Sequence, residues 1–212
     1  MRLGVLAVLM APWSSLEAAP IEVQFAEGAA HGLLLVRSVS GETVGHGDLL
    51  QTAHGDRVES RLILRFKDGS LHDDYVVFSQ QRVFTLLSYR LMQRGPSFPE
   101  TVEVSLDRKT GGYKARSARD GKEQESSGSI GLEMTPVGAQ RVVAGDLARQ
   151  ATRYALKPKL GAALRFFATV MGMAPADQEC VILTEDVPAF VRCDGPLYVK
   201  GPVWRIEQTV AR

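Results

Sequence analysis

Three stretches of the chain pair imidazole with carboxylate: His46-Gly47-Asp48, His54-Gly55-Asp56 and His72-Asp73-Asp74. These groups bind metals and exchange protons near neutrality, and on a strand His46 and Asp48 would share a face. The spacing fits no zinc signature such as H-E-x-x-H, however, and Gly-Asp is ordinary turn chemistry. We read the tripeptides as solvated turns rather than as a metal site. Asp73 and Asp74 are expected to pair with Arg61 and Arg65 across a hairpin, not to form a catalytic dyad, which would need a cleft. Serine chemistry has no better support. Gly128-Ser129-Ile130-Gly131 is one residue short of the G-x-S-x-G elbow and lacks its strand-to-helix setting. Gly111-Gly112 lacks the Lys and the following helix of a phosphate loop. No catalytic residue, metal ligand or cofactor site is assigned.

A more distinctive element, Gly-Pro-x-aromatic, occurs as Gly95-Pro96-Ser97-Phe98, Gly195-Pro196-Leu197-Tyr198 and Gly201-Pro202-Val203-Trp204. Proline donates no ladder hydrogen bond, so each copy marks a strand end, edge or bulge. The even offset between Tyr198 and Trp204 would place both on one face of one strand. Core aromatics closing a sheet are favoured over a ligand-facing pair. The two cysteines, Cys180 and Cys193, flank two short apolar runs with Glu185-Asp186-Val187-Pro188 between them. If the runs are hairpin strands the cysteines fall opposite each other, within disulfide reach; the alternative is two reduced, buried thiols. A metal site there is disfavoured because no His lies near either Cys.

The elements that must position these residues read mainly as β. From Ile21 to about Thr135, alternating segments such as Leu62, Leu64 and Phe66 between Arg61, Arg65 and Lys67 are separated by turn signals, among them Asp68-Gly69 and Asp120-Gly121. Val142 to Lys157 reads either as a helix capped by Asp146 or as a hairpin around Ala144-Gly145-Asp146, and the hairpin is favoured. One stretch, Leu160–Met173, has helical spacing, with Leu160, Leu164, Phe167 and Met171 on one side. Pro175 ends it. The architecture expected is a long curved antiparallel sheet or partly closed barrel with one short helix near its mouth.

Composition narrows the function classes. Of 212 residues, 45% are hydrophobic and 23% charged, the profile of a folded domain, and the net charge of +1 offers no basic stripe for nucleic acid. Arg2, the apolar run Leu3 to Met10, and Ala18-Ala19 before Pro20 have the order of a secretory signal peptide. We therefore expect a leader over residues 1–19, a single β-rich domain over 20–212, and a periplasmic or secreted mature chain. No other stretch is apolar for long enough to cross a bilayer as a helix.

The residues Arg65-Phe66-Lys67-Asp68-Gly69-Ser70, Val77-Phe78-Ser79-Gln80 and Gly95-Pro96-Ser97-Phe98-Pro99, with the ending Pro188-Ala189-Phe190-Val191-Arg192 to Trp204-Arg205-Ile206-Glu207, resemble a family of exported bacterial proteins of unknown function. The resemblance implies export and a common fold, and carries over no functional residue. In architecture the β-rich plan is similar to unclosed barrels such as lipoprotein-localisation factors. The leading expectation is non-catalytic binding of an apolar ligand or lipid in the cell envelope, with Leu164, Phe167 and Met171 facing it. The alternatives are an envelope protein–protein interaction module with a filled core, and a hydrolase or metal-dependent enzyme without a recognisable motif.

Overall fold

The computed structural model describes residues 22–23, 26–110, 112–119, 121–128, 131–144, 147–159, 178–183, 189–198 and 200–209. Thirteen strands form one sheet in the order β8-β7-β6-β5-β4-β3-β2-β1-β13-β12-β11-β10-β9. They are β1 (Ala30–Arg37), β2 (Thr43–His54), β3 (Arg57–Phe66), β4 (Leu71–Ser79), β5 (Thr85–Arg94), β6 (Thr101–Asp107), β7 (Gly112–Arg119), β8 (Lys122–Gly128), β9 (Gly131–Ala144), β10 (Leu147–Lys159), β11 (Gln178–Leu183), β12 (Ala189–Pro196) and β13 (Val203–Gln208). All pairings are antiparallel and link strands consecutive in sequence, except that β1 pairs with β13. The two edge strands, β8 and β9, follow one another in the chain. No ladder joins them among the described residues, so the sheet is unclosed.

The mainly β reading and the single antiparallel sheet therefore hold. The β9–β10 pairing, which starts at Ala144 opposite Leu147, resolves Val142–Lys157 as a hairpin. The helix expected at Leu160–Met173 lies outside the described residues, as does the leader. No helix among the described residues is long and apolar enough to cross a membrane. The hairpin at Asp68-Gly69 forms as its sequence dictates, with Gly69 at φ 86°, where a side chain would be strained. Asp68 Oδ1 accepts the Ser70 amide at 2.9 Å across the turn.

Alternation assigns one face of the sheet to the core. Leu34 and Val36 of β1, Leu64 and Phe66 of β3, and Trp204 and Ile206 of β13 are buried together with Phe98 from the loop after β5. Three strand-to-strand steps separate β3 from β13, about 14 Å along a flat sheet. Yet the Phe66 and Trp204 rings lie 5.5 Å apart. Gln93 on β5 donates to the Leu197 carbonyl just past β12 at 2.8 Å, although six steps, roughly 29 Å if flat, separate these strands. The sheet is thus strongly curled around its apolar face.

Glycine makes the curl feasible at β2. A Cβ on Gly47 would lie 2.3 Å from the Ile63 carbonyl oxygen and 2.7 Å from Leu64 Cδ2, and one on Gly45 would lie 2.7 Å from the Arg65 carbonyl oxygen. The inner surface has no room for side chains at these positions. The neighbouring Leu64 and Phe66 occupy the space instead.

Cys180 and Cys193 face each other across β11 and β12 and form a disulfide, with Cα atoms 4.1 Å apart. The sequence separation of 13 predicts that reduction lowers the unfolding free energy by about 3 kcal/mol, measured by urea titration with and without reductant. Gly47→Ala should cost about 3 kcal/mol in the same assay, because backbone, not a yielding side chain, stands in the way. Gly28→Ala, with no atom within 4 Å of its added Cβ, should stay within about 0.5 kcal/mol of the parent.

Candidate functional site

Cross-strand register sorts the inner face into rows. At one end an aromatic cluster closes the curl. Phe98 meets Phe66 edge-on at 5.7 Å and Tyr198 at 5.9 Å, and Tyr198 lies 5.9 Å from Trp204. Each aromatic of the three Gly-Pro-x-aromatic elements ends in this one cluster. Tyr198 and Trp204 do not share a strand as their spacing implied: β12 ends at Pro196 and β13 begins at Val203, so the intervening turn brings them together. The Phe98 loop is held by Ser97, whose Oγ donates to Asp68 Oδ2 at 2.6 Å and whose amide donates to Ser70 Oγ at 2.7 Å. The Ser97 hydroxyl, with the Ser70 amide, lowers the pKa of Asp68.

Behind the aromatic cluster runs the row Leu34, Gly47, Leu64, His72, Gln93 and Val102. His72 and Gln93 are buried and hydrogen-bond each other, Nε2 of Gln93 to Nδ1 of His72, at 2.9 Å. Gln93 Nε2 also donates to Leu197, so this amide ties β4, β5 and the end of β12 together. Burial drives the His72 pKa down to about 4, against a smaller opposing pull from Asp73, so the ring is neutral near pH 7.

The next row is Gly32, Leu49, Leu62, Asp74, Leu91, Val104 and Ala115. Asp74 is the one polar residue between Gly32 and Ala115, beyond which the row ends at Ser126 on β8. The Asp74 Oδ1 is shielded from solvent and has no hydrogen-bond partner. Burial raises the pKa of Asp74 to about 7, with the Tyr89 hydroxyl opposing and Asp73 adding to the rise. Burial and the nearby carboxyl also raise the pKa of Tyr89. Leu49, Leu62, Leu91 and Val104 are only half-buried, as are Val76, Tyr89 and Leu106 in the row beyond. Below the filled aromatic end the inner face thus carries a half-buried apolar row containing the Asp74 carboxyl, bordered in the row beyond by Gln51 and Ser60, with Gln51 donating to Glu27 at 2.9 Å.

The opposite face is ionic. Arg61 grips Asp73 through two hydrogen bonds of 2.9 and 2.6 Å, a pairing the sequence suggested. Arg65 departs from that reading and binds Asp48 at 3.0 Å, and His31 adds a contact to Asp48 at 3.1 Å. His46-Gly47-Asp48 is therefore strand, not turn, whereas His54-Gly55-Asp56 does lie at the β2–β3 hairpin. Among the described residues no group of three His, Cys, Asp or Glu side chains is arranged to hold a metal ion. The Arg65–Asp48 and His31–Asp48 contacts are partly exposed and contribute about 0–1 kcal/mol each, whereas the Asp73 carboxylate held by Arg61 is buried, as are Ile63 and Val77 on the same face.

Leu164, Phe167 and Met171, the residues expected to face a ligand, lie outside the described residues. Asp74, Tyr89, His72 and Gln93 were missed as a group. A two-residue turn at Asp68-Gly69 would set Asp74 opposite Ile63; the turn is instead centred on Asp68, and that one-residue difference sets Asp74 opposite Leu62 on the inner face. The chain matches no family model, no curated protein and no solved structure.

The two buried titratable groups predict a specific pH response. Between about pH 4 and 6.5 the unfolded chain protonates His72 and the folded chain does not, so this residue makes stability fall as pH falls. Between about pH 4 and 7 the folded chain keeps the Asp74 proton that the unfolded chain releases, so this residue makes stability fall as pH rises. The slopes oppose each other, each at most about 1.4 kcal/mol per pH unit, and should nearly cancel in the parent protein. Asp74→Asn should expose the histidine slope, with stability rising from acid to neutral pH. His72→Gln should expose the opposite slope. Chemical denaturation across this range reads both.

Proposed function

We propose that the protein is a non-catalytic binder of an apolar small molecule or lipid chain, held in a trough along the Asp74 row. The observation that carries this reading is the half-buried row Leu49, Leu62, Leu91 and Val104, apolar throughout except for one carboxyl with an unpartnered oxygen. Apolar walls with a single convergent polar group are the usual make-up of a small-molecule site. A chain of ligand methylenes laid on this row would gain about 0.8 kcal/mol for each CH₂ buried. The aromatic end is filled by the protein's own side chains, so the site is confined to the rows beyond it.

Export to an oxidising compartment belongs to the same reading, supported by the Cys180–Cys193 disulfide and by the leader-like residues 1–19.

Native mass spectrometry of protein purified from its own cell envelope tests the reading. The expected spectrum contains a lipid-sized adduct that is lost on delipidation and regained with a dodecyl-chain amphiphile. Leu91→Trp, which fills the row, should weaken that uptake by about tenfold, or about 1.4 kcal/mol. A bare mass together with no uptake of any dodecyl probe would overturn the proposal.

A further inference from the structure

We infer that the trough selects an amphiphile whose head group donates hydrogen bonds, above all a primary ammonium, and rejects a fatty-acid carboxylate. This inference rests on the proposed trough and adds the chemistry of its occupant. Asp74 is the one polar residue in the central part of its row, with Leu62 directly opposite on β3 and Leu91 on β5. Oδ1 of the carboxyl is shielded from solvent and has no hydrogen-bond partner. A buried acceptor without a donor costs about 1–3 kcal/mol, and a ligand donor removes that cost. Rotation about the terminal torsion exchanges the two oxygens, so the free one can turn towards the trough.

The sign of the charges decides the head group. Among the described residues, the groups around Asp74 are Tyr89 and Leu91 from β5, Leu62 from β3, and His72 and Val76 on the same face of β4, with Asp73 behind on the ionic face. No cation is among them: the Arg61 guanidinium is committed to Asp73 on the other face, and His72 is neutral near pH 7. An ammonium brought to Asp74 would pair with the carboxylate where water competes little, and a charge-assisted bond is the stronger kind. A ligand carboxylate would meet a like charge with nothing to offset it. An alcohol head satisfies Oδ1 without charge and should rank between the two.

Isothermal titration calorimetry with dodecylammonium, dodecanol and dodecanoate, each below its micelle concentration, tests the order on the intact protein. At pH about 8.5 the ammonium should bind most tightly and the carboxylate least. Ammonium affinity should fall by about tenfold per pH unit once the medium is more acidic than the carboxyl's titration. Asp74→Asn should retain dodecanol binding and lose both the ammonium preference and its pH dependence. Should that variant fail to fold, the parent's pH profile for ammonium against carboxylate decides the matter alone. Equal binding of dodecanoate and dodecylammonium at pH about 8.5, unchanged by Asp74→Asn, would overturn the head-group inference and leave the trough standing. No binding of any dodecyl probe would overturn both.

Discussion

A sheet this tightly curled must have less area on its inside than on its outside, and the molecule meets that constraint on β2. Gly45 and Gly47 occupy the inner positions where any Cβ would collide with the backbone of β3. Leu64 and Phe66 fill the vacated space, and from Phe66 the aromatic contacts run to Phe98, Tyr198 and Trp204. Those contacts bring strands three to six steps apart in the sheet to touching distance. Without the curl, β1 would have an exposed apolar face and Gln93 could not reach Leu197.

Enclosure gives the interior its electrostatic character. His72 and Asp74 project from the same face of β4, and the same desolvation acts on both with opposite results for the proton. The imidazole loses its charge by releasing a proton, and the carboxyl loses its charge by keeping one. His72 is buried in a hydrogen-bonded row behind the aromatics, where its ring has Gln93 as partner. Asp74 lies one row further out with an unsatisfied oxygen. The first arrangement has the features of structure, and the second those of a site awaiting a donor. The ionic pairs on the other face keep Arg61 and Arg65 away from both groups.

Much of the strand plan was legible because period-two alternation and Gly-containing turns are local signals. The Leu62, Leu64, Phe66 run and the Asp68-Gly69 hairpin fix β3 and β4, and equal spacing about a turn places Cys180 opposite Cys193. Other features depend on long-range geometry. The three Gly-Pro-x-aromatic elements are far apart in sequence, and only the curl unites Phe98 with Tyr198 and Trp204. His46-Gly47-Asp48 resembled a turn because its glycine was read for backbone freedom, when its role is to lack a side chain at a close approach. Asp73 and Asp74 are adjacent, so they point to opposite faces. The arginines of β3 drew attention to the ionic one.

The central claim is that the sheet curls far enough for the loop after β5 to pack on β13. Nuclear Overhauser spectroscopy on the aromatic protons tests it most directly, with the indole resonances assigned through Trp204→Phe. The account predicts cross-peaks from the Trp204 indole to the rings of both Phe98 and Phe66, whose centroids lie 6.3 and 5.5 Å away. An assigned Trp204 indole with no cross-peak to either ring would mean an opened sheet, and would contradict the enclosed inner face on which the trough depends.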